Sequence, residues 1–336
     1  MSVRESAFKD LQERNSVEVT RFRVGDEKGW DEFVWFSNNG TIFHTRQFLA
    51  YHPPGRFDDC SLLFTKAGKC IAIFPAGVRE IDRGKALISH PGASFGGPVF
   101  KLTISLKDTF FIVERLLEFA GDNGIETIQM TLPPLIYHSR PGNYFDFALG
   151  ESGFSYLRRE VSSVIPLDFA AEDTLLVFSP ESRRAVRRAL KMGVQVSECD
   201  DFSTFYDILK KNLQMRHNVR PTHSLDELLL LKQLFPEKIR LFAAQRDGEM
   251  MAGIVVFECN ERVALAFYIS HREELQQHRG VNLLFYEVIR WAISKQIKFL
   301  DFGIFTVNMK PNWGLARFKE GFGALGVFRD TLIKKV

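Results

Sequence analysis

Two charged residues near the C-terminus have the spacing to act together. Asp301 sits in an apolar strand predicted over residues 297–303, and Lys319 lies on a short helix stopped by Gly321 and Gly323. At about 100° per residue Lys319 falls on the arc of Leu315 and Ala316, the apolar side of that helix. A lysine there either carries its head out to water or projects into a cleft. In a cleft, it meets whatever binds there. Asp301 shares a strand face with Ile297 and Phe299, so its carboxylate points inward and needs a partner: Lys319, a backbone amide or an incoming amine. It reads as a general base or as a structural hydrogen-bond acceptor. Tyr268 is expected on the strand face of Ala264 and Ala266, where small neighbours leave room for a ligand or for a packed core ring.

A second constellation is cationic. Ser179 reads as an N-cap and Pro180 as the first residue of a helix that runs to Met192. Arg183, Arg184, Arg187, Arg188 and Lys191 cover roughly 140° of its surface at 3.6 residues per turn. Ala185, Val186, Ala189 and Leu190 fill the opposite arc. Five cations with almost no acid beside them either form a solvated face or meet an anion such as a phosphate.

Other chemistries find no support. Cys60, Cys70, Cys199 and Cys259 are scattered, without C-x-x-C or zinc spacing, and are expected as reduced thiols. The eight histidines form no H-E-x-x-H, no serine sits in G-x-S-x-G, and Asp301-Phe302-Gly303 lacks the companions of a kinase. No metal is expected. A net charge of +3 over 336 residues gives no nucleic-acid footprint by itself. Residues 1–23 are charged and lack the apolar segment of a leader, and the longest apolar run, 250–257, is too short to span a bilayer. A soluble cytoplasmic protein without membrane insertion is the expectation.

The chain is long enough for two cores, and its halves share a plan. Residues 60–131 and 240–303 each read as a strand hairpin, a further strand, a helix and a closing strand. The helices are predicted over 108–122 and 281–295, the closing strands over 125–131 and 297–303. The α/β halves should superimpose, as a duplicated domain. Between them, helices are predicted over 180–192, 202–216 and 224–234. The domains are set at 1–170 and 171–336.

In this order and spacing the chain resembles the Fem-type transferases, which are tandem GNAT acyltransferase domains. The resemblance rests on Ile42-Phe43-His44-Thr45-Arg46-Gln47-Phe48-Leu49 and on Ser89-His90-Pro91-Gly92-Ala93-Ser94-Phe95-Gly96-Gly97-Pro98. In the second half it rests on Ser182-Arg183-Arg184, Lys191-Met192-Gly193-Val194, Phe299-Leu300-Asp301-Phe302-Gly303 and Phe318-Lys319-Glu320-Gly321-Phe322-Gly323. The family implies an α/β fold of two GNAT-like domains, each a mixed twisted sheet flanked by helices, and acyl transfer to an amine. Fem enzymes proper move amino acids from aminoacyl-tRNA to peptidoglycan precursors, whereas many relatives are acetyltransferases. No long charged helical hairpin, the tRNA-associated arm of some members, is present.

GNAT domains bind the donor's pyrophosphate at a helix N-terminus through Q/R-x-x-G-x-G/A. The matching residues are Gln277-His278-Arg279-Gly280-Val281-Asn282, in which Asn282 replaces the last small residue. The first half offers Gly92 and Gly96-Gly97 at the corresponding place, as an anion nest or a tight turn. The resemblance thus places Lys319 at the active site, where its charge would stabilise negative charge developing on the attacked carbonyl, and Asp301 and Tyr268 join it as catalytic candidates from their strand faces. It implies Gln277, Arg279, Gly280, Val281 and Asn282 for the donor, acyl-CoA (acetyl-CoA) or aminoacyl-tRNA. Arg183, Arg184, Arg187 and Arg188 would hold a small-molecule or glycan or peptide cell-wall precursor. The alternative is a non-catalytic GNAT-like protein that binds an anionic metabolite or partner.

Overall fold

The computed structural model describes residues 16–82, 84–217 and 219–336. Most of the charged N-terminal stretch read as leaderless lies outside them. Contacts divide the chain into one unit that runs up to Arg159 and takes in Arg329–Val336, and a second, Glu160–Phe328. The boundary therefore falls earlier than residue 170. It cuts the strand Ser155–Pro166, because the second half of that strand pairs within the second unit.

In the first unit the hairpin Leu62–Lys66/Lys69–Phe74 turns through Ala67 and Gly68, both at positive φ. Val17–Arg21 pairs with its first strand and Val99–Phe100 with its second. Gly84–Ser89 lies parallel to Ile125–Thr131 and antiparallel to Gly77–Ile81. The helix Leu106–Asp122 makes the crossover. Ser105 starts it by accepting the Asp108 N–H at 3.0 Å, and its Ile112, Val113, Leu116 and Ala120 are buried in the core.

In the second unit six strands of the described residues lie side by side. Gln195–Cys199, Ile239–Arg246, Glu249–Glu258 and Val263–His271 are antiparallel in that order. Phe299–Ile304 follows parallel to Val263–His271, after a crossover through the helix Gly280–Ser294. The strand from Ser155–Pro166 closes that edge antiparallel. One face packs Ala252, Ile254, Val256, Ala264, Ala266, Leu300 and Phe302 against the Gly280–Ser294 helix and the arginine-rich helix Pro180–Lys191. The other face is covered by Phe202–His217 and Leu225–Leu234.

The two halves share the leading hairpin and the parallel crossover but differ in how these are joined. In the second unit Glu249–Glu258 pairs directly with Val263–His271. In the first, Lys69–Phe74 pairs with Val99–Phe100 instead, and Gly77–Ile81 supplies the antiparallel neighbour of Gly84–Ser89. The expectation that residues 60–131 and 240–303 share one strand order is corrected to that extent. Each parallel pair is also finished by a strand remote in sequence. Residues 331–335 pair with Ile125–Thr131, and residues 164–166 with 299–301.

Candidate active site

The parallel ladder of the second unit is short. Val263, Ala264 and Leu265 pair with Phe299, Leu300 and Asp301, and pairing then stops although the first strand continues to His271. Both strands change register just beyond this point. Asp301 faces Val164 and Ile304 faces Ser162, so two residues on one side oppose one on the other. Gly303 takes φ 70° at this bulge, and its N–H donates to Asp301 Oδ1 at 2.7 Å.

The bulge turns three consecutive carbonyls toward one point, where Lys319 Nζ sits. It donates to Phe302 O at 2.8 Å, Gly303 O at 2.8 Å and Ile304 O at 2.9 Å. Lys319 is 4% exposed. Burial pushes its pKa from 10.5 down to about 8, opposed by the negative charge of Asp301. An ammonium has three N–H donors, and three carbonyls take them. The lysine therefore holds the strand end in shape and has no spare N–H for a ligand.

The sequence around Lys319 makes this placement possible. Asn312 caps the helix Trp313–Glu320 by accepting the Leu315 N–H at 3.1 Å. Ala316 and Lys319 face inward as expected, but Leu315 is 38% exposed. The helix is anchored by its aromatics: Phe318 lies 5.1 Å from Phe322, which packs on Phe285 at 4.8 Å and Phe178 at 5.0 Å. Phe285 in turn stacks on Phe302 at 4.2 Å, tying the helix Gly280–Ser294 to the Asp301 strand.

Asp301 is fully buried and faces away from that helix, on the side of Leu265 and Val164. It does not share a face with Ile297. That residue precedes the strand and packs with Leu300 and Phe302 in the opposite core. Tyr268 is corrected as well. Val256 pairs with Ala266 and Val255 with Tyr268, so Phe267 is an extra residue and the alternation slips there. Tyr268 consequently points away from Ala264 and Ala266. Its hydroxyl lies 2.8 Å from His223 Nδ1 and accepts the His223 N–H at 3.1 Å. Burial pushes its pKa up to about 12. Tyr268 shares its sheet face with Asp301 but lies three residues further along, about 10 Å at strand rise.

The start of the Gly280–Ser294 helix lies at the same carboxyl end of the parallel pair, where α/β sheets bind ligands. Arg279 enters it in the left-handed region, φ 59° and ψ 31°, and no side chain caps it. A Cβ on Gly280 would stand 3.3 Å from Ala244 Cβ, so this glycine admits the helix close to the sheet and faces the core. Gln277 and Arg279 are exposed, and Val281 and Asn282 are half-buried. With Phe285 on the Asp301 strand, the helix start reaches about 7 Å beyond it at 1.5 Å per residue. The Asn282 and Leu283 N–H groups donate back to Arg279 O at 3.1 and 3.4 Å, so what the helix start offers an anion is chiefly its dipole.

A model of the acetyltransferase (GNAT) domain matches residues 180–320, which contain Tyr268, the Gly280–Ser294 helix, Asp301 and Lys319. Among solved structures the chain is similar to FemX, over 95% of this chain and 97% of that one, with 13% identity and a TM-score of 0.75. The fold is the Fem-type tandem GNAT fold. L-PGS from Bacillus licheniformis is similar over 94% of each chain, at 11% identity and a TM-score of 0.58. A tandem GNAT protein from the clavulanic acid biosynthesis pathway is similar over 95% of this chain and 98% of that one, at 10% identity and a TM-score of 0.53. No curated protein matches.

Within this Fem-type fold the arginine helix packs Ser182, Val186 and Ala189 inward and leaves Arg184, Arg187, Arg188 and Lys191 exposed, with Arg183 half-buried. None of the five enters an ion pair among the described residues. Leu190, expected on the buried arc, is 51% exposed, because the inward face is centred on the 182–186–189 row. The helix starts beside the Lys319 helix, where the Ser179 N–H donates to Gly321 O at 2.9 Å. In the first unit, the Gly96 N–H donates to Thr131 O at 2.8 Å, and a Cβ on Gly96 would strike the Ser89 carbonyl. Its glycine loop is a tightly packed turn.

Two residues went unread in the sequence. Glu160 and Ser162 lie on the strand face of Val164, beside the bulge. Glu160 Oε1 accepts the Met309 N–H at 3.1 Å. Glu160 Oε2 and Ser162 Oγ are buried without a partner among the described residues. The only signal was a polar alternation, Glu160-Val161-Ser162, just ahead of the apolar Val164 and Ile165. A depression of about 210 Å³ between the Phe202–His217 helix and His271–Glu274 involves none of these groups and is bridged by Lys211 and Glu274 at 3.5 Å. Among the described residues no trio of His, Cys, Asp or Glu side chains could hold a metal.

Proposed function

We propose that the protein is an N-acyltransferase that moves an acetyl or aminoacyl group to an amine by direct attack. The observation that carries this reading is the parting of two parallel strands after Leu265 and Asp301, next to an uncapped helix start at Gly280. An acyl arm would lie in the gap where the strands part, and the helix start would turn its dipole toward a pyrophosphate. Val281 and Asn282, with Arg279 and Gln277 around them, would hold acyl-CoA. Aminoacyl-tRNA is the second donor class, favoured by the exposed arginine helix.

In this reading the amine nitrogen attacks the carbonyl carbon, its proton passes to a carboxylate, and the thiolate or ribose oxygen leaves as the amide forms. The Lys319 charge, fixed on three carbonyls, lowers the cost of the tetrahedral oxyanion through its field. Glu160 Oε2, without a partner beside the bulge, is the carboxylate best placed to take the proton, and Asp301 sets the shape of the strand end. Arg184, Arg187 and Arg188 would orient an anionic acceptor such as a nucleotide-linked cell-wall precursor. A second reading, a non-catalytic protein for an anionic metabolite, draws on the saturation of all three Lys319 donors. Incubation with acetyl-CoA or with charged tRNA and a panel of amines separates the two. Mass spectrometry should find an acylated amine with one donor; donor binding without any acylated amine would favour the second reading.

A further inference from the structure

We infer that the tip formed by Val307, Met309 and Trp313 docks on the surface of an anionic lipid bilayer. Beyond the bulge, Thr306 pairs with Pro311 and Val307 with Lys310 in a small hairpin. Asn308 and Met309 at its turn both take positive φ, the geometry of a tight two-residue connection. The hairpin is braced at its base, where the Asn312 N–H donates to Phe305 O at 2.9 Å and the Met309 N–H to Glu160. The side chains it presents are apolar and in water: Trp313 is 77% exposed, Val307 65% and Met309 55%. Ile304, Leu315 and Phe318 beside them are also exposed.

An apolar group concentrated in one short segment marks a contact surface. The charges say which kind. From Phe302 to Lys319 the sequence has no acid, while Lys310 and Arg317 are exposed on the segment itself. The helix carrying exposed Arg184, Arg187, Arg188 and Lys191 begins beside Gly321, at the end of the same segment. A tryptophan at a wet–dry boundary, aliphatic side chains at a turn and cations around them match the headgroup region of an anionic bilayer. A narrow tip is a poor match for a protein partner, which buries about 800 Å² on each side. No helix of the described residues is long and apolar enough to cross a membrane, so the contact is peripheral. Because the tip follows directly on the Asp301 strand, docking would carry that strand end to the bilayer. If the transferase reading holds, its acceptor amine then belongs to a membrane-anchored molecule.

The test is co-sedimentation with vesicles, which needs neither donor nor acceptor, so its failure leaves the transferase reading standing. The full chain should pellet with vesicles of equal parts phosphatidylglycerol and phosphatidylcholine and remain in solution with phosphatidylcholine alone. Val307→Ser/Met309→Ser/Trp313→Ser should weaken binding tenfold or more, on the scale of about tenfold for each large apolar side chain withdrawn from lipid. Lys310→Glu/Arg317→Glu should weaken it by about fivefold or more per charge, and added salt should do the same. All five positions are exposed, so melting curves of both variants should overlay the parent. Absence of binding to the mixed vesicles overturns the proposal, as does equal binding by the triple-serine variant. A dimer in sedimentation velocity that this variant abolishes, without vesicle binding, would assign the tip to a second copy of the chain and overturn it too.

Discussion

Replacing Lys319 with methionine keeps most of the side-chain volume and removes the ammonium. Three carbonyls then lose a donor at 2.8–2.9 Å, in a site where the lysine is 4% exposed. Leaving a buried acceptor unsatisfied costs about 1–3 kcal/mol, and Asp301 loses the positive charge beside it. Relief from burying the ammonium offsets part of this. The net should be near the 3–5 kcal/mol typical of removing one partner from a buried charged pair. For a unit of this size that is roughly 10 °C in Tm. Urea unfolding followed by tryptophan fluorescence at neutral pH measures it. Lys319→Arg should fall between, since a planar fork cannot aim three donors at one converging set of carbonyls. The pH dependence gives an independent check. The folded pKa of about 8 is below the ordinary 10.5, so between these values the unfolded chain keeps a proton that the folded chain has released. The stability advantage of wild type over Lys319→Met should therefore rise from pH 8 upward, by at most about 1.4 kcal/mol per pH unit. A methionine variant within 1 kcal/mol (about the cost of a single hydrogen bond) would refute the role given to the three carbonyls.

Burial holds His44, His90 and His138 at pKa values of about 4, so the unfolded chain binds protons that the folded chain refuses between about 6.5 and 4. Stability of the first unit should fall on acidification through that window, and His138→Phe, packed near Phe100, should flatten the slope in acid urea titrations. Gly280→Asp should destabilise by about 2 kcal/mol or more in thermal melts, because its carboxylate would enter the core against Ala244 rather than face a ligand. Arg184→Glu/Arg188→Glu should leave the melt within about 0.5 kcal/mol and weaken binding of a phosphorylated acceptor in fluorescence anisotropy; an unchanged affinity would leave these arginines as a solvated face.

What the sequence revealed was local chemistry. Ser179 caps the arginine helix by accepting the Ser182 N–H at 3.2 Å, and Ser224 with Glu227 forms the reciprocal cap of Leu225–Leu234. The first of these starts was readable because capping depends on residues three apart. The inward side of Lys319 was readable for the same reason. Strand faces past a bulge were not. One extra residue at Phe267 turned Tyr268 to the other side, and no local pattern marks where a ladder slips. The strands that finish each parallel pair come from remote parts of the chain, and only tertiary pairing selects them. Glu160 and Ser162 were missed for that reason: their strand looked like the end of the first half.

The central claim is that an acyl donor binds at the start of the Gly280–Ser294 helix. Asn282 is half-buried in its first turn and, unlike Gly280, tolerates a side chain, so Asn282→Asp adds a negative charge there at little cost to folding. Calorimetric titration of acetyl-CoA into wild type and this variant tests the claim directly. The account predicts binding to wild type and a loss of tenfold or more in the variant, with superimposable melts. Equal affinity in the two proteins would contradict it.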